Sequence, residues 1–312
     1  MHHFGAAAPD GCIALGHGTA VRGGRPMSRP RPDLEAEYNA RAAIPDHPEI
    51  FARWARESAA VRAAQAGETG LAYGPDPGER LDWFAAPGGD RPRPILYFVH
   101  GGYWRSLDKD DFTFLVPSLQ QLGVDVVLVN YGLCPRLTIA EIVGQVCRGL
   151  AWTKDQAASR DADGGQLFLA GHSAGGHLVA MLLATDWSVA ERPDVAAAIR
   201  GGLALSGLYD LEPLCHTSIN VEARLDAATA RALSPARLAP TVAAPLRLVV
   251  GGDESGAFWR QSEHLAQAWP NCSAPAAVPG AHHLAVVEAL ADPAGVPQRQ
   301  LRELIGAARS AA

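Results

Sequence analysis

The run Gly171-His172-Ser173-Ala174-Gly175 contains the residue of this chain best suited to covalent chemistry. It follows an apolar segment at 167–170 and precedes a helix-like run at 176–183. A serine on a sharp turn between a strand and a helix takes strained backbone angles, so its neighbours must be glycine or very small. The turn exposes the hydroxyl, and the N-terminus of the helix points at the group that it attacks. The pattern therefore predicts Ser173 as a nucleophile.

A second glycine-rich run, His100-Gly101-Gly102-Tyr103-Trp104, follows an apolar segment at 94–99. Hydrolases with a serine turn need a second loop whose backbone N–H groups face the developing oxyanion, and glycine lets that backbone approach closely. We expect the amides of Gly102, Tyr103 and Ala174 to form this oxyanion hole. Either run alone is also typical of an ordinary turn after a parallel strand. Both together, in this order, favour a hydrolase.

A serine hydroxyl attacks efficiently only when a base takes its proton, and the base needs an acid to orient it. In hydrolases with this type of turn, the acid and then the histidine follow the serine along the chain. The segment 246–250 reads as a late strand, and Asp253 on the loop after it is the expected acid. Asp210 and Glu254 are the alternatives.

The base is expected on a loop near the end of the chain, where His282 and His283 are adjacent. Two consecutive side chains diverge, so only one of them can face Ser173. We favour His283, because Leu284 follows it directly at the start of a helical segment. His172 is expected to point away from the nucleophile.

Composition narrows the class of protein. The chain has 312 residues, of which 48% are hydrophobic, and a net charge of −6. It therefore lacks the basic character of nucleic-acid binders, and it contains no apolar run long enough to span a membrane. Its five cysteines are scattered and form no CxxC motif, which favours reduced thiols over a disulfide framework or a metal site. The N-terminus shows no secretory signal, so we expect a cytoplasmic protein.

The order of the segments predicts an α/β fold. Short apolar runs alternate with helical periods, which requires a mostly parallel sheet covered on both faces. Strands are expected at 81–85, 95–99, 124–130, 167–170, 202–205, 246–250 and 274–278. Helices are expected at 49–64, 139–156, 174–184, 256–269 and 297–309. We predict a disordered extension over residues 1–30 and a single domain over 31–312 with an N-terminal helical flap.

Five motifs in this chain resemble those of the kynurenine formamidase (arylformamidase) branch of α/β-hydrolases. They read HGGYW, GHSAGGHL, SGLYDLEPL, GGDESGAFWRQSEHLAQAW and GAHHL. The resemblance covers roughly residues 33–291, and that branch neighbours the hormone-sensitive-lipase-like carboxylesterases. One departure is that histidine precedes the expected catalytic histidine, where an acidic or amide residue is expected.

The resemblance implies an α/β-hydrolase fold with about eight strands and no cofactor or metal. It also implies hydrolysis of N-formylkynurenine to kynurenine and formate, with Ser173 as nucleophile, Asp253 as acid and His283 as base. Trp104 and Phe258 are candidate substrate-binding residues, since an aryl group needs a flat apolar wall. A short-chain carboxylesterase and a non-catalytic ligand receptor are the alternatives. The expected partner is a small molecule, with neither nucleic acid nor membrane, and a homodimer is allowed.

Overall fold

The structure is a computed structural model that describes residues 32–88 and 92–311. The extension expected over residues 1–30 lies outside these residues. Within them, the strands are β1 (Glu68–Ala72), β2 (Arg80–Phe84), β3 (Arg93–Val99), β4 (Asp125–Val129), β5 (Ala162–His172), β6 (Ile199–Leu205), β7 (Leu246–Gly251) and β8 (Ala276–Val278).

The helices of the described residues divide into an N-terminal group and those that cover the sheet. The N-terminal group is α1 (Pro32–Tyr38), α2 (Ala40–Ala43) and α3 (His47–Ala64). The others are α4 (Val116–Gln120), α5 (Ile139–Gln156), α6 (Ala174–Ala184), α7 (Pro193–Ala198), α8 (Asn220–Ala223), α9 (Ala227–Ala232), α10 (Gly256–Ala268), α11 (Ala285–Ala291) and α12 (Val296–Ala311). Short 3-10 segments lie at Lys109–Leu115, Ala158–Arg160, Glu212–His216 and Pro235–Arg237.

The strands form one eight-stranded sheet in the order β1-β2-β4-β3-β5-β6-β7-β8. The pairs from β4 to β8 are parallel, and β1 and β2 add an antiparallel edge. This arrangement confirms the predicted α/β-hydrolase fold. The first strand expected, at 81–85, corresponds to β2. The edge strand β1 was not predicted from the sequence, because its residues are mostly exposed and lack a continuous apolar run.

Alternate residues of the central strands enter two separate cores, one on each face of the sheet. In β3, Ile95, Tyr97 and Val99 pack on one face, while Leu96 and Phe98 pack on the other. Helices α5, α6 and α10 cover the first face, and α3, α4, α11 and α12 contribute to the second. Both faces of the parallel strands are therefore buried, as their continuous apolar sequences predict.

Helix α5 spans residues 139–156, as expected. Its start is fixed by a capping box in which the Thr138 side chain accepts from the Glu141 N–H, while the Glu141 carboxylate accepts from the Thr138 N–H. The apolar residues of its sequence, which include Ile142, Val146 and Leu150, form one stripe that is buried against the sheet. None of the helices within residues 32–88 and 92–311 combines the length and the apolar character needed to cross a bilayer.

The N-terminal helices form the expected flap and are fixed to the domain by polar contacts. The Glu35 carboxylate accepts hydrogen bonds from the N–H and Oγ of Ser218, both at 2.7 Å. The Ser255 Oγ donates to the Glu37 carbonyl at 2.6 Å. On α3, the Trp54 Nε1 donates to Glu288 Oε1 at 2.6 Å. These contacts hold the flap across the carboxyl edge of the sheet.

Candidate active site

Ser173 stands on the turn between β5 and α6, with φ 56° and ψ −118°. This backbone conformation is unfavourable for any residue other than glycine, so contacts with the surrounding residues must enforce it. Glycines on either side allow the tight packing. A Cβ at Gly171 would lie 2.4 Å from the Gly175 carbonyl oxygen, and one at Gly175 would lie 2.0 Å from the Val99 carbonyl oxygen. The glycines predicted to permit a strained serine turn are thus sterically required.

The second glycine-rich loop follows β3 and turns sharply next to Ser173. Gly102, Tyr103 and Trp104 all have positive φ, of 107°, 51° and 56°. A Cβ at Gly102 would lie 2.0 Å from the Ser106 carbonyl oxygen, so only glycine fits there. Gly102 and Tyr103 line the same cavity as Ser173. The structure thus brings together the loop and the serine turn that the sequence predicts for an oxyanion hole.

Two of the three expected oxyanion donors, Gly102 and Tyr103, make no backbone hydrogen bond as donors within the described part of the chain. The third, Ala174, is the first residue of α6, where the helix supplies no partner for the N–H. Amide N–H groups that have no partner and lie beside a helix N-terminus can donate hydrogen bonds to a bound oxyanion and stabilise its negative charge.

His283 lies beside Ser173, at the opposite end of the chain in sequence. Its Nδ1 is 2.7 Å from Glu254 Oε2, and its side chain is buried. With Nδ1 engaged, Nε2 is the ring nitrogen that can take a proton from the serine. Ser173 and His283 line one cavity, although no hydrogen bond joins their side chains here. Such bonds commonly tighten only when substrate is bound.

Glu254, and not the expected Asp253, provides the carboxylate for this histidine. The Glu254 side chain is 1% exposed. Besides His283, it accepts hydrogen bonds from the Gly251 N–H at 2.7 Å and from the Ser206 Oγ. All of its hydrogen bonds hold the carboxylate in one orientation, which is what a base-orienting acid requires.

Asp253 does not reach His283, and the expectation for this residue is corrected by the geometry. Its N–H donates to the Ala281 carbonyl at 3.0 Å, which anchors the loop, and its side chain faces outward. The other alternative, Asp210, pairs with Arg237 on the surface. Asp253 and Glu254 are adjacent, so their side chains diverge as those of the two histidines do. Only one of the two acids can therefore face inward, and the sequence does not indicate which.

The two adjacent histidines have different structural roles. His282 Nδ1 accepts hydrogen bonds from the N–H groups of Leu284 and Ala285, at 3.2 and 3.1 Å. It thereby serves the amides at the start of α11, which otherwise lack partners. His283 enters the cavity instead. The structure places His283, the residue that the sequence favours, rather than His282, against Glu254.

His172 lies closer to the reacting groups than the sequence predicts. Its Nε2 is 2.8 Å from the His283 carbonyl oxygen, and the two imidazole rings are 4.7 Å apart. It lines the cavity that contains Ser173, so the expectation that it points away is wrong. Burial and the neighbouring His283 hold the pKa of His172 well below its usual value. It is therefore neutral near pH 7 and links the serine turn to the histidine loop.

The cavity above Ser173 is a cleft that is partly open to solvent. Its roof comes from the flap, through Ala40, Arg41, Phe51 and Trp54. The aromatic surface expected for an aryl group therefore comes largely from residues that sequence reasoning did not select. Their position depends on the fold of the flap, which no local motif predicts.

The two candidate substrate-binding residues lie in different places. Trp104 is fully buried and packs edge-on against His177, with ring centres 5.0 Å apart, so it does not line the cavity. The positive-φ turn directs Tyr103 into the cavity and Trp104 into the core. Phe258 packs against His283, with ring centres 4.4 Å apart, and lines a neighbouring cleft. Phe258 thus supports the histidine and borders the site.

Within residues 32–88 and 92–311, no group of three or more histidine, cysteine, aspartate or glutamate side chains is arranged to hold a metal ion. Of the four cysteines of these residues, Cys134, Cys147 and Cys215 are buried and Cys272 is partly exposed. Burial raises the pKa of Cys134 and Cys215 to about 11 and that of Cys272 to about 12. These thiols are therefore poor nucleophiles at neutral pH.

Comparison with known proteins agrees with this geometry. A family described as the alpha/beta hydrolase fold matches residues 96–239. The kynurenine formamidase of Danio rerio is 31% identical over 242 residues, which are 75% of this chain and 80% of that protein. The kynurenine formamidase of Salmo salar is 32% identical over 229 residues, covering 70% and 76% of the two chains.

A more distant relative is the isoprenylcysteine alpha-carbonyl methylesterase of Arabidopsis thaliana, 26% identical over 46% of this chain and 35% of that protein. Among solved structures, a Silicibacter protein provisionally assigned as a thioesterase has a TM-score of 0.77 and 34% identity. The match covers 88% of this chain and 99% of that one. A thermophilic carboxylesterase from a metagenomic library has a TM-score of 0.61 at 16% identity, which shows the shared fold alone.

Proposed function

Because the chain belongs to the kynurenine formamidase family of α/β-hydrolases, we propose that it cleaves an aryl formamide, N-formyl-L-kynurenine, to the aryl amine and formate. The chain is a hydrolase, and this sets aside the ligand-receptor alternative. The proposal concerns the substrate, the acyl-enzyme route and the residues that carry it.

In the first half of the proposed reaction, Ser173 Oγ attacks the formyl carbon while His283 Nε2 takes the hydroxyl proton. Glu254 holds the imidazole by Nδ1 and stabilises its charged form. The N–H groups of Gly102, Tyr103 and Ala174 donate hydrogen bonds to the negatively charged formyl oxygen. Collapse of the tetrahedral adduct breaks the C–N bond, and His283 gives its proton to the leaving amine.

In the second half, water attacks the formyl ester of Ser173, and His283 takes a proton from that water. A second tetrahedral adduct collapses, the serine oxygen leaves with the proton from His283, and formate is released. Every proton that the imidazole accepts is returned, so the free enzyme is regenerated and no cofactor is consumed.

One observation carries the proposal: a strained serine shares a cavity with a buried histidine–carboxylate pair beneath a roof that includes Phe51 and Trp54. The serine, histidine and carboxylate are the groups needed for acyl transfer. The aromatic roof suits a flat leaving group such as an aryl amine. The relatives named kynurenine formamidase support the choice of substrate.

A general short-chain carboxylesterase is the second candidate, since it would use the same groups. The observation that favours it is the sequence similarity to a carboxyl methylesterase, together with the 34% identity to a structure assigned as a thioesterase. Esters react more readily than amides, so an oxyanion site built for a formamide also accepts small esters.

The test compares kcat/KM for N-formyl-L-kynurenine with that for p-nitrophenyl acetate and butyrate. We expect the formamide to be the better substrate and Ser173→Ala to abolish all three reactions. A fluorophosphonate probe, followed by peptide mapping, should modify Ser173. Turnover of the esters alone would reject the formamidase proposal, and labelling elsewhere would reject Ser173 as nucleophile.

A further inference from the structure

Arg41 introduces a positive charge into the roof of the cavity. It lies on α2, is half-buried, and lines the same cavity as Ser173. Its guanidinium carbon is 5.3 Å from the centre of the Phe51 ring, which also lines this cavity. Its Nη2 donates to Ser106 Oγ. The guanidinium is therefore held over the site between an aromatic ring and the oxyanion loop.

Arg41 differs from its neighbours in making no ion pair with a carboxylate within residues 32–88 and 92–311. Nearby arginines are paired: Arg105 with Glu222, Arg53 with Glu288, and Arg260 with Glu37. Burial and the positive charge of Arg105 lower the pKa of Arg41. Glu222, the acid whose charge acts on Arg41, is itself paired with Arg105. A half-buried cation that makes no ion pair is costly to maintain, so its position in the cavity favours the binding of an anion there.

We propose that Arg41 binds a carboxylate of the substrate, so that the enzyme prefers aromatic formamides or esters that carry one. This inference rests on the proposed function and names the feature by which the same site selects its substrate. A guanidinium has five N–H donors in a planar fork that matches a carboxylate, and Ser106 accepts from only one nitrogen. Phe51 and Trp54 contact the ring while Arg41 holds the charged end.

A structural role is the competing explanation. Ser106 Oγ donates to the Gly102 carbonyl at 3.0 Å, so Arg41 is connected through Ser106 to the oxyanion loop. If this connection were its purpose, removing Arg41 would slow neutral and anionic substrates equally. If Arg41 binds a carboxylate, the loss falls on the anionic substrate. Substrate pairs that differ only in charge distinguish the two roles.

The experiment uses two such pairs: 4-acetoxybenzoate with 4-acetoxybenzamide, and 2-formamidobenzoate with 2-formamidobenzamide. For Arg41→Gln, we expect kcat/KM for the benzoates to fall about 10- to 100-fold, the range for loss of a charge-assisted hydrogen bond. The loss should appear mainly in KM. The benzamides should change by less than about threefold, and Arg41→Lys should recover part of the loss.

Two control variants accompany this test. Arg56→Gln removes the same charge from an exposed position on α3 and should leave the benzoate-to-benzamide ratio unchanged. Ser106→Ala removes the connection to Gly102 but keeps Arg41, so the ratio should also persist. Equal losses on both members of a pair in Arg41→Gln, or no loss at all, would overturn the proposal.

The two pairs also separate this inference from the proposed function. If neither formamide is hydrolysed but the ester pair shows the Arg41-dependent ratio, the formamidase proposal fails and carboxylate binding stands. If the formamides are hydrolysed and Arg41→Gln does not change the ratio of kcat/KM for benzoate to that for benzamide, the formamidase proposal stands and carboxylate binding fails.

Discussion

At the scale of single residues, the position of the carboxylate beside His283 is determined by the path of the loop after β7. Glu254 turns back so that its carboxylate accepts from the Gly251 N–H, while Asp253 faces solvent. A buried carboxylate that accepts several hydrogen bonds is fixed in direction, whereas an exposed one is free to rotate. Only the fixed group can hold an imidazole in one tautomer.

We therefore expect Glu254→Gln to lower kcat by about 10³- to 10⁴-fold, because the amide would favour the wrong imidazole tautomer. The matched variant Asp253→Asn, one residue away, should keep kcat within about threefold of wild type, since no contact with His283 is lost. Steady-state kinetics on one substrate measure both. A severe defect in Asp253→Asn with normal kinetics in Glu254→Gln would reverse the assignment.

At the scale of elements, the histidine loop both begins a helix and supplies a reacting group. His282 accepts from the first amides of α11, and the His283 carbonyl is bound by His172 from the turn after β5. Helix α11 in turn packs in the core beneath the loop through Val286, Val287 and Leu290. The imidazole is thus positioned by two elements that lie more than a hundred residues apart in sequence.

The adjacent histidines should separate stability from catalysis. His282→Ala should lower the free energy of unfolding by about 1 kcal/mol, as for loss of a helix cap, and leave most of the activity. His283→Ala should lose about 10³-fold or more in kcat, because no base remains. Urea unfolding and steady-state kinetics measure the two effects. Loss of all activity in a folded His282→Ala protein would contradict this division.

The elements that local patterns specify could be predicted from sequence. The glycines around Ser173 and at Gly102 indicate turns that other residues cannot adopt. The apolar stripe of α5 predicts which face of that helix is buried. Contacts between distant segments could not be predicted. The orientation of Glu254 depends on the hydrogen bond between Asp253 and Ala281, which joins two loops.

The residues of the cavity roof also could not be predicted from the sequence. Trp104 stands next to the oxyanion loop in sequence, yet it is buried against His177. Phe51 and Trp54 read only as the apolar side of an amphipathic helix, but the fold places them over Ser173. Sequence proximity to the oxyanion loop does not predict which aromatic residues line the cavity, because a positive-φ turn redirects neighbouring side chains.

At the scale of the whole molecule, buried neutral histidines couple stability to pH. Burial lowers the pKa of His100 and His172 and lowers that of His177 to about 4. In the unfolded chain the same side chains titrate near 6.5. Below pH 6.5 the histidines of the unfolded state therefore bind protons that the same side chains do not bind in the folded state. The stability that these groups contribute is therefore present above pH 6.5 and is lost as pH falls below it; for His177 the loss continues to about pH 4.

We expect the free energy of unfolding to fall by about 1 kcal/mol between pH 6.5 and 5.5 through His177, whose pKa is about 4 in the folded protein and near 6.5 in the unfolded chain. His177 offers a test outside the cavity, since its Nε2 contacts the Leu233 carbonyl. In His177→Gln the glutamine amide can still donate to the Leu233 carbonyl but cannot be protonated. The free energy of unfolding of this variant should therefore depend less on pH. Urea unfolding at pH 7.5, 6.5 and 5.5 measures the difference. Identical pH profiles would refute this coupling.

The flap and the reacting groups come from different stretches of the chain. Residues 40–54 cover the site, while Ser173, Glu254 and His283 belong to the sheet edge behind it. Substitutions in residues 40–54 are therefore expected to change which molecules the cavity admits, while Ser173, Glu254 and His283 keep their positions. An engineer who seeks a different selectivity should begin with these first described helices.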